Sequence, residues 1–234
     1  MEGRRILVLQ HVGEEHLGLI AEALSDRLIE PSYCCPYLGD SVPATLDGYQ
    51  GVVLMGGPQS VYQDKEYPYL RAEKALVSRA IETNCSVLGV CLGSQILADV
   101  LGARVYPGQT FELGWKDVQV ATNASEDPVF SGLPSQFRPF HWHGDIYDLP
   151  KGAILLGSSE ATSVQGFSFN RRHYGFLCHL EITEKQIITM SGTFSDDLVR
   201  GNVDPSALLA ETPGHVRALR ENALGVFRRW ADSL

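Results

Sequence analysis

Uninterrupted apolar runs alternate with stretches of helical periodicity through the first hundred residues. Three runs, over 6–10, 51–55 and 86–90, show no polar alternation, which is typical of strands buried on both faces. Between them, apolar residues at helical spacing predict one helix over about 16–28 and another over 67–83. Buried strands that alternate with helices form a parallel sheet with helices on both faces. The first half of the chain is therefore predicted to be a doubly wound α/β sheet.

After about residue 103 the pattern changes to short β-type runs separated by Gly, Pro, Asp and Asn. We expect these runs to add antiparallel strands to a mostly parallel central sheet. Two N-cap residues, each followed by proline, predict helices that begin at Asp204-Pro205 and at Thr212-Pro213. No repeat or long linker is visible, so we expect a single domain over 1–234 with C-terminal helices from about 205. The apolar stripe of the last predicted helix consists of Val216, Leu219, Leu224, Phe227 and Trp230.

Composition and charge narrow the class of protein. Of the 234 residues, 44% are hydrophobic and 20% are charged, which suffices for one sizeable core. A formal net charge of -9 argues against a nucleic-acid partner or an anionic membrane surface, and it leaves small polar ligands open. The N-terminal segment does not read as a signal peptide, and no apolar run reaches the roughly 20 residues that span a bilayer. We therefore expect a cytoplasmic protein whose five cysteines are reduced thiols.

One cysteine has an unusual setting. Cys91 stands between Gly89 and Gly93, where a predicted strand meets a predicted helix. This G-x-C-x-G pattern mirrors the G-x-S-x-G nucleophile elbow, in which small neighbours allow a sharp turn that displays the nucleophile. The positive end of the following helix would favour the thiolate, and its backbone N–H groups could bind a developing oxyanion. The alternative is that Cys91 is a small buried hydrophobic residue.

A nucleophilic cysteine needs a base that a third group orients. The apolar run YGFLCHL carries His179 near its end, and Glu181 follows two residues later. Side chains two apart on a strand share a face, so Glu181 can lie beside the imidazole and fix its tautomer. The sequence thus predicts a triad of Cys91, His179 and Glu181. The alternative is that His179 caps a strand and Glu181 begins the next helix.

Two further segments are candidates for ligand contact. Gly56 and Gly57 follow an apolar strand and let the backbone approach a ligand at the carboxyl edge of the sheet, unless they form an ordinary turn. In the segment HWHGD, His141, His143 and Asp145 alternate and are possible metal ligands on one strand face. No further ligand is apparent in the sequence. We therefore favour a substrate-lining loop or a structural polar cluster, and we predict no metal.

Four segments, in their order along the chain, resemble the class I glutamine amidotransferases of the triad type, the family that includes the glutaminase domain of GMP synthetase. They are MGGPQS, GVCLGSQ, HWHGD and CHLE, and the match covers most of residues 4–182. The segments ELGW and HWHGDIYDLP resemble in particular the stand-alone proteins similar to that glutaminase domain. The resemblance implies a flavodoxin-like glutamine amidotransferase fold and a cysteine-nucleophile amidohydrolase.

The resemblance also implies a role for each matching residue. Cys91 would attack the side-chain amide carbon of glutamine, His179 would protonate the departing ammonia and then activate water, and Glu181 would orient His179. Glutamate and ammonia would be the products, and the hydrolysis would need no metal or organic cofactor. The implied oxyanion hole consists of the backbone N–H groups of Gly57 and Leu92. The residues implied to hold the amino-acid end of glutamine are Gln95, Trp142, His143, Gly144 and Asp145.

This chain departs from the family at one position beside the predicted triad. The family usually has His-Pro-Glu, whereas this chain has His179-Leu180-Glu181. Proline fixes φ and removes a backbone donor, so leucine relaxes the local backbone without deleting a catalytic group. We expect activity to survive the change.

The acceptor of the ammonia is open from the sequence. No P-loop is found and only helices follow the matching segments, so we expect either a separate synthetase subunit as partner or a hydrolase that acts on its own. The second case includes a γ-glutamyl hydrolase or peptidase, which would use the same thioester chemistry on a γ-linked peptide. A binding or regulatory module with an inactive elbow is the alternative outside catalysis. The intact Cys91, His179 and Glu181 argue against that module.

Overall fold

The computed structural model describes residues 3–234, which form eleven strands and six helices. The strands are β1 (Arg4–Leu9), β2 (Ile29–Cys34), β3 (Gly51–Leu54), β4 (Ser86–Val90), β5 (Val105–Trp115), β6 (Val118–Val120), β7 (Gln136–Phe137), β8 (Phe140–Tyr147), β9 (Ile154–Ser158), β10 (Gly166–Phe169) and β11 (His173–Phe176). The helices are α1 (Leu19–Ser25), α2 (Tyr69–Glu82), α3 (Leu92–Val100), α4 (Glu184–Thr193), α5 (Ser195–Arg200) and α6 (Pro205–Asp232).

Nine of the strands form one sheet, in the order β2-β1-β3-β4-β11-β10-β9-β6-β7. The first five of these strands are parallel to one another. The remaining four add to the sheet in antiparallel pairs. The predicted doubly wound, mostly parallel sheet with added antiparallel strands is therefore confirmed.

The two faces of the sheet carry separate hydrophobic cores, because successive side chains of a strand point to opposite faces. In β1, Ile6 and Val8 belong to the core that includes the apolar side chains of α1 and α6. Leu7 and Leu9 belong to the core formed with α2 and α3. β3 and β4, in the middle of the sheet, are buried along their whole length, so neither shows the polar alternation of an exposed sheet.

The first helix is shorter than the sequence predicts. α1 occupies only Leu19–Ser25, so the predicted start at 16 and end at 28 are wrong. Leu28, the last residue of the predicted helix, has a positive φ of 54° and is 85% exposed. The chain turns there to enter β2, and Leu28 cannot share the helix face with Leu24, which is fully buried.

The C-terminal segment is one long helix rather than two. Asp204 caps its start by accepting a hydrogen bond from the backbone N–H of Ser206, as predicted. The second predicted start at Thr212-Pro213 is wrong, because α6 continues through Pro213 to Asp232. Thr212 is buried inside the helix, where its hydroxyl donates to the Leu208 carbonyl and accepts from the Trp115 indole N–H. The predicted stripe of the last helix is buried except for Val216, which is half-buried.

β5 and β8 pair with each other in a separate two-stranded ribbon. The ribbon was not anticipated, since every later strand was expected to extend the main sheet. It joins the ELGW segment to the HWHGD segment, with Glu112 opposite His143. No helix of residues 3–234 is long and apolar enough to cross a membrane.

Candidate active site

Cys91 lies at the turn between β4 and α3 in a backbone conformation that L residues rarely adopt, with φ 48° and ψ -109°. Both flanking glycines are required by close backbone approach. A Cβ on Gly89 would overlap the carbonyl of Gly93, and a Cβ on Gly93 would overlap the carbonyl of Leu54 in β3. The turn is thus a nucleophile elbow in its geometry. Cys91 is only 6% exposed, but it lines a cavity.

His179 is placed by pairing with the ribbon rather than by the end of a strand. β11 ends at Phe176, and the backbone groups of His179 then exchange two hydrogen bonds with Phe140 at the start of β8. Glu181 shares the face of His179, and the Nδ1–H of His179 donates to the Glu181 carboxylate over 2.8 Å. The interposed Leu180 is buried in the apolar core.

The charges around His179 favour its protonated form. Burial alone would lower the pKa of His179, but the Glu181 carboxylate and the Cys91 thiol together hold it well above its usual value. Burial raises the pKa of the Cys91 thiol, and the neighbouring His179 opposes that rise. An imidazole that is stabilised as a cation beside a buried thiol can take the thiol proton when substrate binds, and this is the chemistry of a cysteine nucleophile.

A cavity of about 370 Å³ opens above Cys91. Its lining includes most of the residues that the sequence assigned to the site: Gly57, Cys91, Gln95, Trp142, His143, Gly144 and Asp145. The Gln95 side-chain amide donates to the backbone carbonyl of Asp145 at 3.3 Å, which ties α3 to the ribbon. Leu92 does not line the cavity with its side chain, which is buried, so its predicted role falls to its backbone N–H alone.

The turn after β3 is held by a buried pair that sequence reasoning missed. His11 Nδ1 lies 3.2 Å from the carbonyl oxygen of Gly56, and its Nε2 lies 3.0 Å from the Glu73 carboxylate. Burial alone would lower the pKa of His11, but the opposing effect of the Glu73 carboxylate leaves that pKa above its usual value. The pair therefore anchors the glycine turn from below through a charge-assisted contact. No local motif marks His11 or Glu73.

Glu112 was also missed as a functional candidate, although it lies in the segment ELGW. Its carboxylate is buried and accepts hydrogen bonds from Ser159, Thr162 and Gln165. It also lies 3.5 Å from the Nε2 of His143. The network fixes the ribbon against the loop after β9, and so it fixes the wall of the cavity.

Two groups of side chains could hold a metal ion by their spacing. The ligand atoms of Glu112, His141 and His143 lie within 4.8 Å of one another, and Asp145, proposed from the sequence as a third ligand, is not among them. Burial lowers the pKa of His143 to about 3 and the pKa of His141 well below its usual value. Both rings are therefore neutral, as ligands must be, but three side-chain donors already satisfy the Glu112 carboxylate. The second group is Glu15, Cys91 and His179.

Glu15 is the most unusual residue that the sequence did not single out. It follows β1, lines the cavity, and its Oε2 has no hydrogen-bond partner among the described residues. Burial raises the pKa of Glu15 to about 7, with Glu181 adding to the rise and His179 opposing it. Its position after β1 could have identified Glu15 as a candidate, since ligands bind outside the carboxyl ends of parallel strands.

The far wall of the cavity comes from α4 and α5, for which the sequence offered no signal. This wall includes Phe194, Asp196, Asp197 and Arg200. The indole N–H of Trp142 donates to the Asp197 carboxylate at 2.9 Å, so the ribbon and α5 are joined across the site. All five cysteines of the chain, Cys91 included, are unpaired thiols.

Known proteins with similar sequences are glutamine amidotransferases or contain such a domain. The sequence profile of the family described as Glutamine amidotransferase class-I matches residues 35–189. The chain is 31% identical to the glutamine amidotransferase-like protein YfeJ of Salmonella typhimurium over 186 residues, which are 78% of each chain. It is 35% identical to the glutamine-hydrolysing GMP synthase of Thermomicrobium roseum, over 65% of this chain but only 27% of the synthase. This chain thus matches about a quarter of that enzyme.

Solved structures give the same result for the fold. A glutamine amidotransferase of Thermotoga maritima superposes with a TM-score of 0.90 at 30% identity, over 99% of this chain and 100% of the other. A glutamine amidotransferase of Methylobacillus flagellatus superposes with a TM-score of 0.89 at 25% identity, over 99% and 95% of the two chains.

Proposed function

The chain belongs to the class I glutamine amidotransferase family, and we propose that it cleaves the γ-amide of glutamine through a thioester on Cys91, with release of glutamate and ammonia. One observation carries the proposal. Cys91 lines the cavity from the elbow, a ring nitrogen of His179 lies within 4.8 Å of its Sγ, and the His179 to Glu181 hydrogen bond is 2.8 Å long.

The proposed reaction begins when His179 accepts the thiol proton and Cys91 Sγ attacks the amide carbon. The oxygen of the tetrahedral adduct then carries the negative charge, and the backbone N–H groups of Gly57 and Leu92 would receive it. The carbon–nitrogen bond breaks as His179 returns the proton to nitrogen, and ammonia leaves. Water, deprotonated by His179, then attacks the thioester carbon, and glutamate leaves as the Cys91 thiol reforms. Glu181 keeps the imidazole oriented and stabilises its cation throughout.

The charges that line the cavity fit the amino-acid end of the substrate. A free α-amino acid carries one positive and one negative group. Asp145, Asp196 and Asp197 offer carboxylates to the ammonium group, and Arg200 is the one lysine or arginine among the lining residues. Its guanidinium stacks 4.6 Å from the centre of the Phe111 ring, which leaves its N–H groups available for a carboxylate.

We propose that the ammonia passes to a separate synthetase subunit. The Thermomicrobium roseum relative is a glutamine-hydrolysing GMP synthase, of which this chain matches 27%. The remainder of that protein is where an acceptor reaction would reside. A γ-glutamyl hydrolase that acts alone is the second reading, and it shares all the proposed catalytic groups.

The test is glutamate release by the purified protein from glutamine and from a panel of γ-glutamyl peptides. Cys91→Ala is the inactive variant, and Cys85→Ala is its matched control, because Cys85 is half-buried at the opposite end of β4. We expect glutamate release by the wild type and by Cys85→Ala, and none by Cys91→Ala. Faster cleavage of the peptides than of glutamine would show that the protein is a γ-glutamyl hydrolase rather than a glutaminase.

A diazoketone analogue of glutamine provides a second readout that does not depend on turnover. It should add its mass to the wild-type protein and to Cys85→Ala but not to Cys91→Ala. If neither glutamate release nor labelling is detected in the folded wild-type protein, the inactive binding module becomes the correct description.

A further inference from the structure

We propose that Glu15 binds the leaving nitrogen of the substrate, so that the site selects γ-glutamyl compounds whose leaving group carries an N–H. This inference rests on the proposed function, which it deepens by assigning a residue and a chemical requirement to the leaving-group side. Nothing in the triad chemistry uses Glu15, yet its carboxylate faces the reacting atoms.

The first observation is the position of the Glu15 carboxylate. One of its oxygens lies within 4.8 Å of both Cys91 Sγ and a ring nitrogen of His179. The side chain reaches over Gly56, where a Cβ would overlap Oε2. The loop between β1 and α1 therefore delivers a carboxylate into the floor of the cavity, next to the proposed nucleophile.

The second observation is that this carboxylate is nearly buried and that its Oε2 receives no hydrogen bond. Glu15 is 7% exposed, and its Oε2 has no hydrogen-bond partner among residues 3–234. A buried oxygen without a donor is unfavourable unless a ligand supplies one. A structural carboxylate would have partners, as Glu112 has from three side chains.

The proposed binding mode also gives the direction of the substrate. The proposed holders of its amino-acid end, Gln95 and Asp145, lie on the side of α3 and the ribbon. The scissile nitrogen must lie within reach of Cys91 and His179, since the first attacks its carbon and the second gives it a proton. An oxygen within 4.8 Å of both groups is then in position to contact the leaving nitrogen itself.

The proposed role of Glu15 leaves the bonds formed and broken and the proton transfers of the reaction unchanged. Cys91 Sγ bonds to carbon, the carbon–nitrogen bond breaks, and the proton held by His179 moves to nitrogen. Glu15 accepts a hydrogen bond from an N–H of that nitrogen and neither gains nor loses a proton. Because nitrogen gains positive charge as it takes the proton from His179, its N–H groups become stronger donors, and the contact is worth more in the transition state than in the ground state.

The experiment compares an amide with an ester that forms the same thioester. Glutamine and the γ-methyl ester of glutamate acylate Cys91 alike, but the ester leaving group has no N–H. At about pH 8, where the Glu15 carboxylate is mostly ionised, we expect Glu15→Ala to lower kcat/KM for glutamine by about 10- to 100-fold, the loss of one hydrogen bond to a charged acceptor. The same variant should leave the ester within about threefold. Glu15→Gln keeps a carbonyl acceptor and should restore part of the amide activity.

Glu30→Gln removes the same charge from an exposed position on β2 and serves as the control. An equal loss for amide and ester, or no loss for either, would overturn the role of Glu15 while leaving the proposed function intact. Ester turnover reports on folding of the site, and if Glu15→Ala lacks it, the amide-to-ester ratio of Glu15→Gln decides. A wild type that cleaves neither compound and resists the diazoketone would instead overturn the proposed function, and this inference with it.

Discussion

The burial of the Glu15 carboxyl predicts a pH dependence of protein stability that can be tested without measuring catalysis. Burial raises its pKa from the ordinary 4.5 to about 7. A pKa raised on folding contributes stability below the unfolded value, and the contribution is lost as pH rises through the folded value. At about 1.4 kcal/mol per unit, the protein should lose about 3 kcal/mol of unfolding free energy through this group between pH 4.5 and pH 8.

Glu15→Gln removes the titration and keeps the shape of the side chain. The variant should therefore gain stability relative to the wild type as pH rises, by about 3 kcal/mol between pH 4.5 and pH 8. The charged groups that face Glu15 are His179, Glu181, His11 and Glu14, and they remain in both proteins. Urea unfolding at several pH values gives the difference, since the titrations of groups remote from Glu15 are the same in both proteins and cancel.

Glu15→Ala provides the internal check on this reasoning. It deletes the same carboxyl but leaves a void, so it should be offset from Glu15→Gln by a constant amount while following the same pH trend. A difference between wild type and Glu15→Gln that is flat over pH 4.5 to 8 would show that the carboxyl is not held in a desolvated site.

Three further substitutions test the elbow, the ribbon and the triad. Gly93→Ala should prevent correct folding or abolish glutamate release, because its Cβ has no room against β3, whereas Gly192→Ala in α4 meets nothing within 4 Å and should raise the unfolding free energy by about 0.5 to 1 kcal/mol. Glu112→Ala removes the acceptor shared by the buried Thr162 and Gln165 and the half-buried Ser159, and it should lower the denaturation midpoint through a loss of about 2 to 4 kcal/mol; a loss under about 1 kcal/mol would contradict the network. Glu181→Gln should lower the pKa of His179 and reduce initial rates of glutamate release by about 10²- to 10⁴-fold, and a rate within threefold of wild type would refute the assigned role.

The sequence predicts the parts of this molecule in which a local pattern has one physical cause. Apolar runs such as 51–55 become buried parallel strands because helices cover both faces of the sheet. The two glycines around Cys91 indicate the elbow because the turn tolerates no Cβ. The wrong helix start at Thr212 has the opposite origin. A threonine before proline resembles a cap, but the buried contact to Trp115 and the bond to the Leu208 carbonyl keep it inside α6.

The residues around the cavity show which parts of the site the sequence alone could not predict and which part it could. Arg200 and Asp197 reach the site through α4 and α5, and only tertiary packing brings those helices across the ribbon. Glu15 is different, because β1 is a neighbour of β3 in the parallel sheet and β3 is a neighbour of β4. The loops after these three strands must therefore leave the sheet at the same edge, and one of them carries Cys91. Once the strand order is predicted, an acidic residue in the loop after β1 is a candidate for the same site, and the burial of Glu15 then distinguishes it from Glu14 beside it.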